Sequence, residues 1–301
     1  MKLTILGCHS ATPKTLQNPT AQLLEVKGHL FLIDCGEGTQ VALRKSKSKF
    51  SRIKHIFISH LHGDHFYGLI GLISTFQLLG RETDLHIYGP KGIKDIILLQ
   101  LKLAKSFTAF QLVFHELESD NPQVLIDDDI LSVETIPLDH RIYTNGFLFK
   151  EKPGERKLNI EAAKQHHIDV SYFRKLKAGA DVVNELGETV ANAKVTLPPD
   201  APKSYAFCSD TAYTPNIIPQ IKAVTALYHE ATFLKSHEHL CQKTKHSTAE
   251  QAALIAKEAK VNMLILGHYS TRYPSLELFK HEAQTVFKNT ELAEDFKVFQ
   301  F

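Results

Sequence analysis

The stretch FISHLHGDHFYGL, residues 57–69, places three histidines and an aspartate in six positions, as His60-x-His62-x-Asp64-His65. An apolar run, KHIFIS, precedes the cluster and another, FYGLIGL, follows it, which reads as a rigid strand-loop-helix frame. In an extended loop, residues two apart point the same way, so His60 and His62 can share one metal ion. The turn into the helix can bring Asp64 and His65 to a second. Four residues cannot satisfy two ions, so further ligands are expected at the ends of other strands. Three candidates follow apolar strands: His140 in IPLDHR, Asp210 in FCSDT and His268 in LILGHYSTRY. His237, His239 and Cys241 in SHEHLCQ also look like a ligand set, but no strand frames them and they are read as ordinary sequence.

Short β-rich runs recur along the chain, among them KLTIL, AQLLEV, LFLID, HIFIS, LHIYG, LSVETIPL, SYAFCS, TALYHEA and NMLILGH. Helical periodicity lies between them, after residue 65, near 93–105, at 247–260 and at 275–288. Strands in hairpins at first, then alternating with helices, predict an α+β fold: an αββα sandwich of two sheets with helices outside. The 301 residues are 43% apolar, enough for a sizeable core. No apolar window reaches the 18 residues of a membrane span, and the N-terminal residues carry no secretory pattern, so a cytoplasmic protein without membrane association is expected. Cys8, Cys35, Cys208 and Cys241 form no C-x-x-C pair, as in a reduced intracellular chain with free thiols. The net charge of +2 is nearly neutral, so any nucleic-acid footprint must be local. Such a footprint exists at 150–182, where Lys150, Lys152, Arg156, Lys157, Lys164, Arg174, Lys175 and Lys177 outnumber the acids; it reads as an arm inserted into a single 1–301 catalytic domain.

The motif cluster with the later His, Asp and His, and DCGEG at 34–38, resembles the metallo-β-lactamase fold. More narrowly, DCGEGTQ at 34–40, HEATF at 229–233, HSTAEQAA at 246–253 and GHYSTRY at 267–273 are similar, in order and spacing, to the ribonuclease Z family of tRNA 3′-processing endoribonucleases. The resemblance implies that His60, His62 and His140 bind one zinc ion, that Asp64, His65 and His268 bind the other, and that Asp210 bridges them. Residue type leaves manganese open as a substitute. A pair of ions lowers the pKa of a water and stabilises both oxygens of an in-line displacement at phosphorus. The resemblance further implies His246 as proton donor to the leaving oxygen, Glu230 as its positioning carboxylate, and Asp64 as acceptor of the water's proton. Asp34 is expected to support the site from behind its ligands, or to serve the turn with Gly36 and Gly38.

Arg272 is expected to pair with a substrate phosphate, and Lys157, Arg174, Lys175 and Lys177 to hold the tRNA through its phosphates and shape. In the family the arm serves a homodimer. Two departures stand out. In TPKTLQNPT, Gln17 replaces an expected Arg before Asn18 and the Lys is displaced to Lys14; in the arm, HHIDVSYF replaces a Pro-Pro-Gly-Pro stretch. The expected activity is removal of the 3′ trailer from precursor tRNA, leaving a 3′-hydroxyl on the tRNA and a 5′-phosphate on the trailer. The alternative is a phosphodiesterase of the same fold acting on small or cyclic phosphodiesters, for which the basic arm has no use.

Overall fold

Alternation along the first strands decides the architecture. Strands β1 (Lys2–Gly7), β2 (Ala21–Val26) and β3 (His29–Ile33) form an antiparallel meander, to which β4 (His55–Phe57), β5 (Leu85–Pro90) and β6 (Leu112–Leu117) add in parallel. Strand Val298–Gln300 pairs with β1 and completes a seven-stranded sheet. Leu30, Leu32, Ile56, Ile87 and their neighbours face a core shared with the helices Thr39–Lys45, Leu69–Leu78 and Ile93–Leu103. The intervening residues, Phe31 and Phe57, point the other way, because successive side chains on a strand alternate in direction. There they meet the second sheet: ring centroids lie 5.5 Å apart for Phe31–Phe149 and 5.2 Å for Phe57–Phe147.

The second sheet runs, in spatial order, Thr290–Leu292, Leu264–Gly267, Ala226–Glu230, Ser204–Cys208, β9 (Asn145–Glu151), β8 (Leu131–Pro137) and β7 (Val124–Asp127). Helices Ala249–Glu258 and Glu277–Gln284 pack on its strands, the former opened by a capping box of Thr248 and Gln251. The result is the expected αββα sandwich. Strand β9, NGFLFKE, is absent from the sequence expectation because its opening Asn-Gly reads as a turn, which leaves only Phe147–Phe149 as an apolar run before Lys150 and Glu151. Gly146 is required there, since a Cβ would meet the Phe207 carbonyl oxygen at 2.2 Å. The short helices Thr39–Lys45 and Glu238–Thr244 likewise carry too few turns for periodicity to reveal.

The computed structural model describes residues 1–13 and 15–301; Lys14 of the N-terminal loop lies outside the described residues. The chain divides into two compact units, one of Met1–Asp127, Ser132–Phe149 and Lys203–Phe301, the other of Asp128–Leu131 and Lys150–Pro202. The smaller unit has two-stranded ladders, Lys157–Leu158 with Thr196–Leu197 and Val182–Val183 with Thr189–Val190. Its own core joins Ala163, Ile168, Leu176, Val182, Val190 and Val195. The segment singled out by charge, 150–182, supplies part of that core, and the residues after it supply Val190 and Val195.

At one end of the first sheet His55 stacks 5.0 Å from His86, whose Nδ1 lies 3.0 Å from His115 Nε2. Burial, and then His86 and His115, push the His55 imidazole down from 6.5 to about 4. The unfolded chain therefore binds this proton more readily, so its contribution to stability is complete above pH 6.5 and is lost as pH falls towards 4. Melting curves in chelator should show a shallower acid loss of Tm for His55→Gln than for the parent; identical slopes would contradict this reading.

Candidate metal centre

The site is built where β4 ends. Beyond Phe57 the chain turns through Ser59 and His60 into a loop, and the one-turn helix Gly63–Phe66 carries Asp64 and His65 inward. The DCGEG turn clamps this helix: Cys35 N donates to the His65 carbonyl (2.7 Å) and Gly68 N to the Cys35 carbonyl (2.9 Å). The approach is so close that a Cβ on Gly36 would sit 2.4 Å from the Asp64 carbonyl oxygen. Asp34, fully buried, holds three groups at once. Its Oδ1 accepts from Ser59 N (2.8 Å), and its Oδ2 accepts from Ser59 Oγ (2.9 Å) and from His65 Nδ1 (2.7 Å).

Those contacts orient lone pairs. With Nδ1 donating to Asp34, the Nε2 of His65 faces Asp64 Oδ2 and Asp210 Oδ1, each at 3.4 Å. His268 repeats the pattern. Thr232 Oγ1 donates to Glu230 Oε2 and lies 2.9 Å from His268 Nδ1, which turns His268 Nε2 toward Asp64 Oδ2 (3.4 Å) and Asp210 Oδ1 (3.3 Å). On the other side, His140 Nδ1 donates to the Lys245 carbonyl (2.8 Å), leaving Nε2 3.3 Å from His62 Nδ1 and 3.9 Å from Asp210 Oδ2. His60 Nε2 lies 3.6 Å from the same Asp210 oxygen.

Two donor sets result, each with its ligand atoms within 4.8 Å of one another: His60, His62, His140 and Asp210, and Asp64, His65 and His268. Asp210 presents Oδ2 to the first and Oδ1 to the second. His60 Nε2, His65 Nε2 and Asp210 Oδ1 are buried without a hydrogen bond, and buried polar atoms of this kind demand a partner. A cation supplies one, so the residues present fit divalent metal. The electrostatics agree. Burial keeps His60 and His62 low and His140 at about 4, hence neutral ligands. Burial would raise Asp64 and Asp210, but the facing imidazoles hold both well below the usual carboxylate range. His65 is shifted upward because Asp210 and Asp34 outweigh its burial; without metal a proton takes the place of positive charge there.

Beside this centre, His246 Nδ1 lies 3.0 Å from Glu230 Oε1. Glu230 is wholly buried and accepts from Ser247 N (2.8 Å) and Thr232 N (2.8 Å) as well. Burial alone would lower the His246 imidazole, yet the Glu230 carboxylate carries it above its ordinary value. The surrounding cleft encloses about 350 Å³ and is lined by Asp64, Asp210, His246 and His268, together with Arg141 and Phe233. Arg272 is exposed, its guanidinium 5.1 Å from the Phe233 ring centroid. Lys157, Arg174 and Lys177 line a concavity of about 680 Å³ in the smaller unit, over Leu158 and Phe173, while Lys175 lies over Tyr172. His237 hydrogen-bonds Tyr273, and no metal-ligating group among the described residues includes His237, His239 or Cys241. Sequence reasoning passed over Ser59, Thr232 and Arg141; Thr232 lies within the HEATF motif and Arg141 follows His140, so adjacency was the available signal.

Outer partners of metal ligands commonly change affinity by about 10–100-fold. Asp34→Ala should weaken metal binding within that range in a chelator competition, while a variant holding metal as tightly as the parent would remove Asp34 from the account.

A family model described as anti-Pycsar protein Apyc1 matches residues 1–152, which contain His60 to His140 but neither Glu230 nor His246. Ribonuclease Z of Bacteroides fragilis is 46% identical over 98% of this chain and 97% of its own, and that of Porphyromonas gingivalis 42% identical over 97% and 96%. Among solved structures, the short form of human tRNase Z superposes with a TM-score of 0.74 at 28% identity, covering 100% of this chain and 99% of that one. A metallo-β-lactamase fold protein of Bacillus subtilis, at 18% identity, shares the fold (TM-score 0.68, 99% and 98% covered). With the αββα sandwich and the Asp210-centred donor sets in place, these full-length identities establish that the chain belongs to the ribonuclease Z family.

Proposed function

We propose that this protein is a metal-dependent endoribonuclease that removes the 3′ trailer from precursor tRNA, leaving a 3′-hydroxyl on the tRNA and a 5′-phosphate on the trailer. The observation that carries the reading is Asp210, whose two oxygens face two separate donor sets. We take the complement to be two zinc ions, one held by His60, His62 and His140, the other by Asp64, His65 and His268, with Asp210 between. Imidazole and carboxylate donors support zinc, with manganese as the natural substitute. Ions bound there supply an activated water and stabilise charge on the phosphate oxygens.

The remaining roles fall to side chains. Asp64, ionised and at the cleft wall, accepts the proton of the attacking water. His246, whose proton Glu230 holds more firmly than in a free imidazole, donates to the departing 3′-oxygen, a step that general acids accelerate by about 10²–10⁴-fold. Arg141 and Arg272 offer guanidinium groups to the flanking phosphates. The basic concavity of the smaller unit, residues 150–202, supplies a further set of phosphate contacts suited to a tRNA. A small or cyclic diester has no use for them, which favours tRNA over the phosphodiesterase alternative.

A homodimer is the assembly we propose, supported by the exposed Leu98, Leu99 and Leu103 on helix Ile93–Leu103 and by Phe107 after it. No helix among the described residues is long and apolar enough to cross a membrane, and the four free thiols support action in the cytoplasm.

Incubated with a 3′-extended precursor tRNA, the zinc-loaded protein should make a single cut after the discriminator base. Asp210→Ala should abolish it, and His246→Ala should slow it by about 10²–10⁴-fold. Reversing Arg174, Lys175 and Lys177 to Glu should raise KM for the tRNA and spare a small phosphodiester. Hydrolysis of the small diester alone, with the tRNA intact, would overturn the proposal.

A further inference from the structure

One cluster of ligand-type atoms has no place in the reaction. Cys8 Sγ, His9 Nδ1 and Asp295 Oδ1 form a nearly equilateral triangle, with separations of 3.8 Å from sulfur to nitrogen, 3.7 Å from sulfur to oxygen and 3.8 Å from nitrogen to oxygen. The nitrogen–oxygen separation is too long for a hydrogen bond, which runs to about 3.2 Å. Without an ion the Cys8 thiol donates to Asp295 Oδ1, and an ion between the three atoms would take the place of that proton. An ion set above the three corners with tetrahedral angles lies about 2.3 Å from each, and zinc bonds run about 2.0–2.3 Å to nitrogen, oxygen and sulfur.

The donors are fixed from outside. Asp295 Oδ2 accepts from Asn18 N at 2.8 Å, which leaves Oδ1 aimed at Cys8. His9 N donates to the Asn18 carbonyl (3.1 Å), and its strand segment bridges to Tyr269, against whose ring the imidazole lies edge-on. Cys8 is fully buried, His9 is 7% exposed, and the Asp295 side chain only 13%. We propose that Cys8, His9 and Asp295 bind a divalent ion of the zinc class, distinct from the Asp210 centre, with water in the fourth position. One thiolate and one carboxylate neutralise the dication, and thiolate with imidazole selects zinc over magnesium or calcium. Adjacent residues at one end of the sequence and an aspartate near the other make no spacing motif, so the set was invisible before folding.

Such an ion would tie the chain after β1 to the segment before Val298–Gln300. Cys8 also offers its carbonyl to His268 N at 2.7 Å, so the ion would brace the backbone that carries a donor of the Asp210 centre. His268 stands there in the left-handed region, φ 59°, a conformation that needs such support.

Cobalt distinguishes the two sites, because a cobalt–thiolate bond gives an intense charge-transfer band in the near ultraviolet and the Asp210 centre contains only imidazoles and carboxylates. Titrating cobalt into metal-free protein should raise that band, with an amplitude at saturation of one thiolate-bound cobalt per chain beside the ions taken up at the Asp210 centre. Cys8→Ser should abolish it, and Asp295→Asn should weaken the cobalt affinity at this site at least about tenfold. Saturation of the protein with cobalt without the band would overturn the proposal. So would a band that survives Cys8→Ser, since it would come from Cys35, Cys208 or Cys241. Should Cys8→Ser fail to fold, Asp295→Asn decides: unchanged affinity overturns the site.

Discussion

A carboxylate buried among imidazoles governs this molecule. Asp210 is 3% exposed, and the Nε2 atoms of His60, His65, His140 and His268 surround it at 3.3 to 3.9 Å. Acceptors facing acceptors at that range, in a medium where charge is poorly screened, repel unless something positive lies between them. The rest of the site keeps them there. Asp34 acts through His65, the Lys245 carbonyl through His140, and Glu230 through Thr232 onto His268, so each Nδ1 is occupied and each Nε2 is directed inward. Glu230 thereby serves two histidines, holding His246 directly and His268 through one hydroxyl.

The sandwich makes this arrangement affordable. Donors arrive from the loop after β4, from the loop after β8 and from the ends of Ser204–Cys208 and Leu264–Gly267, and β4 is locked to the second sheet by the contacts of Phe57 with Phe147 and Phe149. Rigid elements of this kind let loops carry strain. Asp34 (φ 57°) and His268 (φ 59°) are both non-glycine residues in the left-handed region, and both lie at the centre. Each such conformation costs on the order of 1–3 kcal/mol and persists where surrounding structure over-determines it.

How legible this was in the sequence depended on chain distance. His60, His62, Asp64 and His65 announced themselves by spacing, and the structure brings them together with His140, Asp210 and His268, each a strand-end residue. The sheets could be read where a β-rich apolar run ends in a polar cluster, as in KLTIL and SYAFCS, and could not where the run opens on Asn-Gly, a turn signal, as in NGFLFKE. Charge singled out 150–182, whereas the small core that this segment joins also takes in Val190 and Val195, beyond the charged run. Hydroxyls such as Ser59 and Thr232 escaped notice because a serine or threonine carries no pattern of its own; only folding shows which carboxylate and which imidazole it joins.

Whether Asp210 bridges two ions is best tested by anomalous diffraction at the zinc edge from crystals of the zinc-loaded protein. The account predicts one peak on the Oδ2 side of Asp210, among His60, His62 and His140, and another on the Oδ1 side, among Asp64, His65 and His268. A single peak at this centre, or two peaks with Asp210 bound to only one, would contradict it.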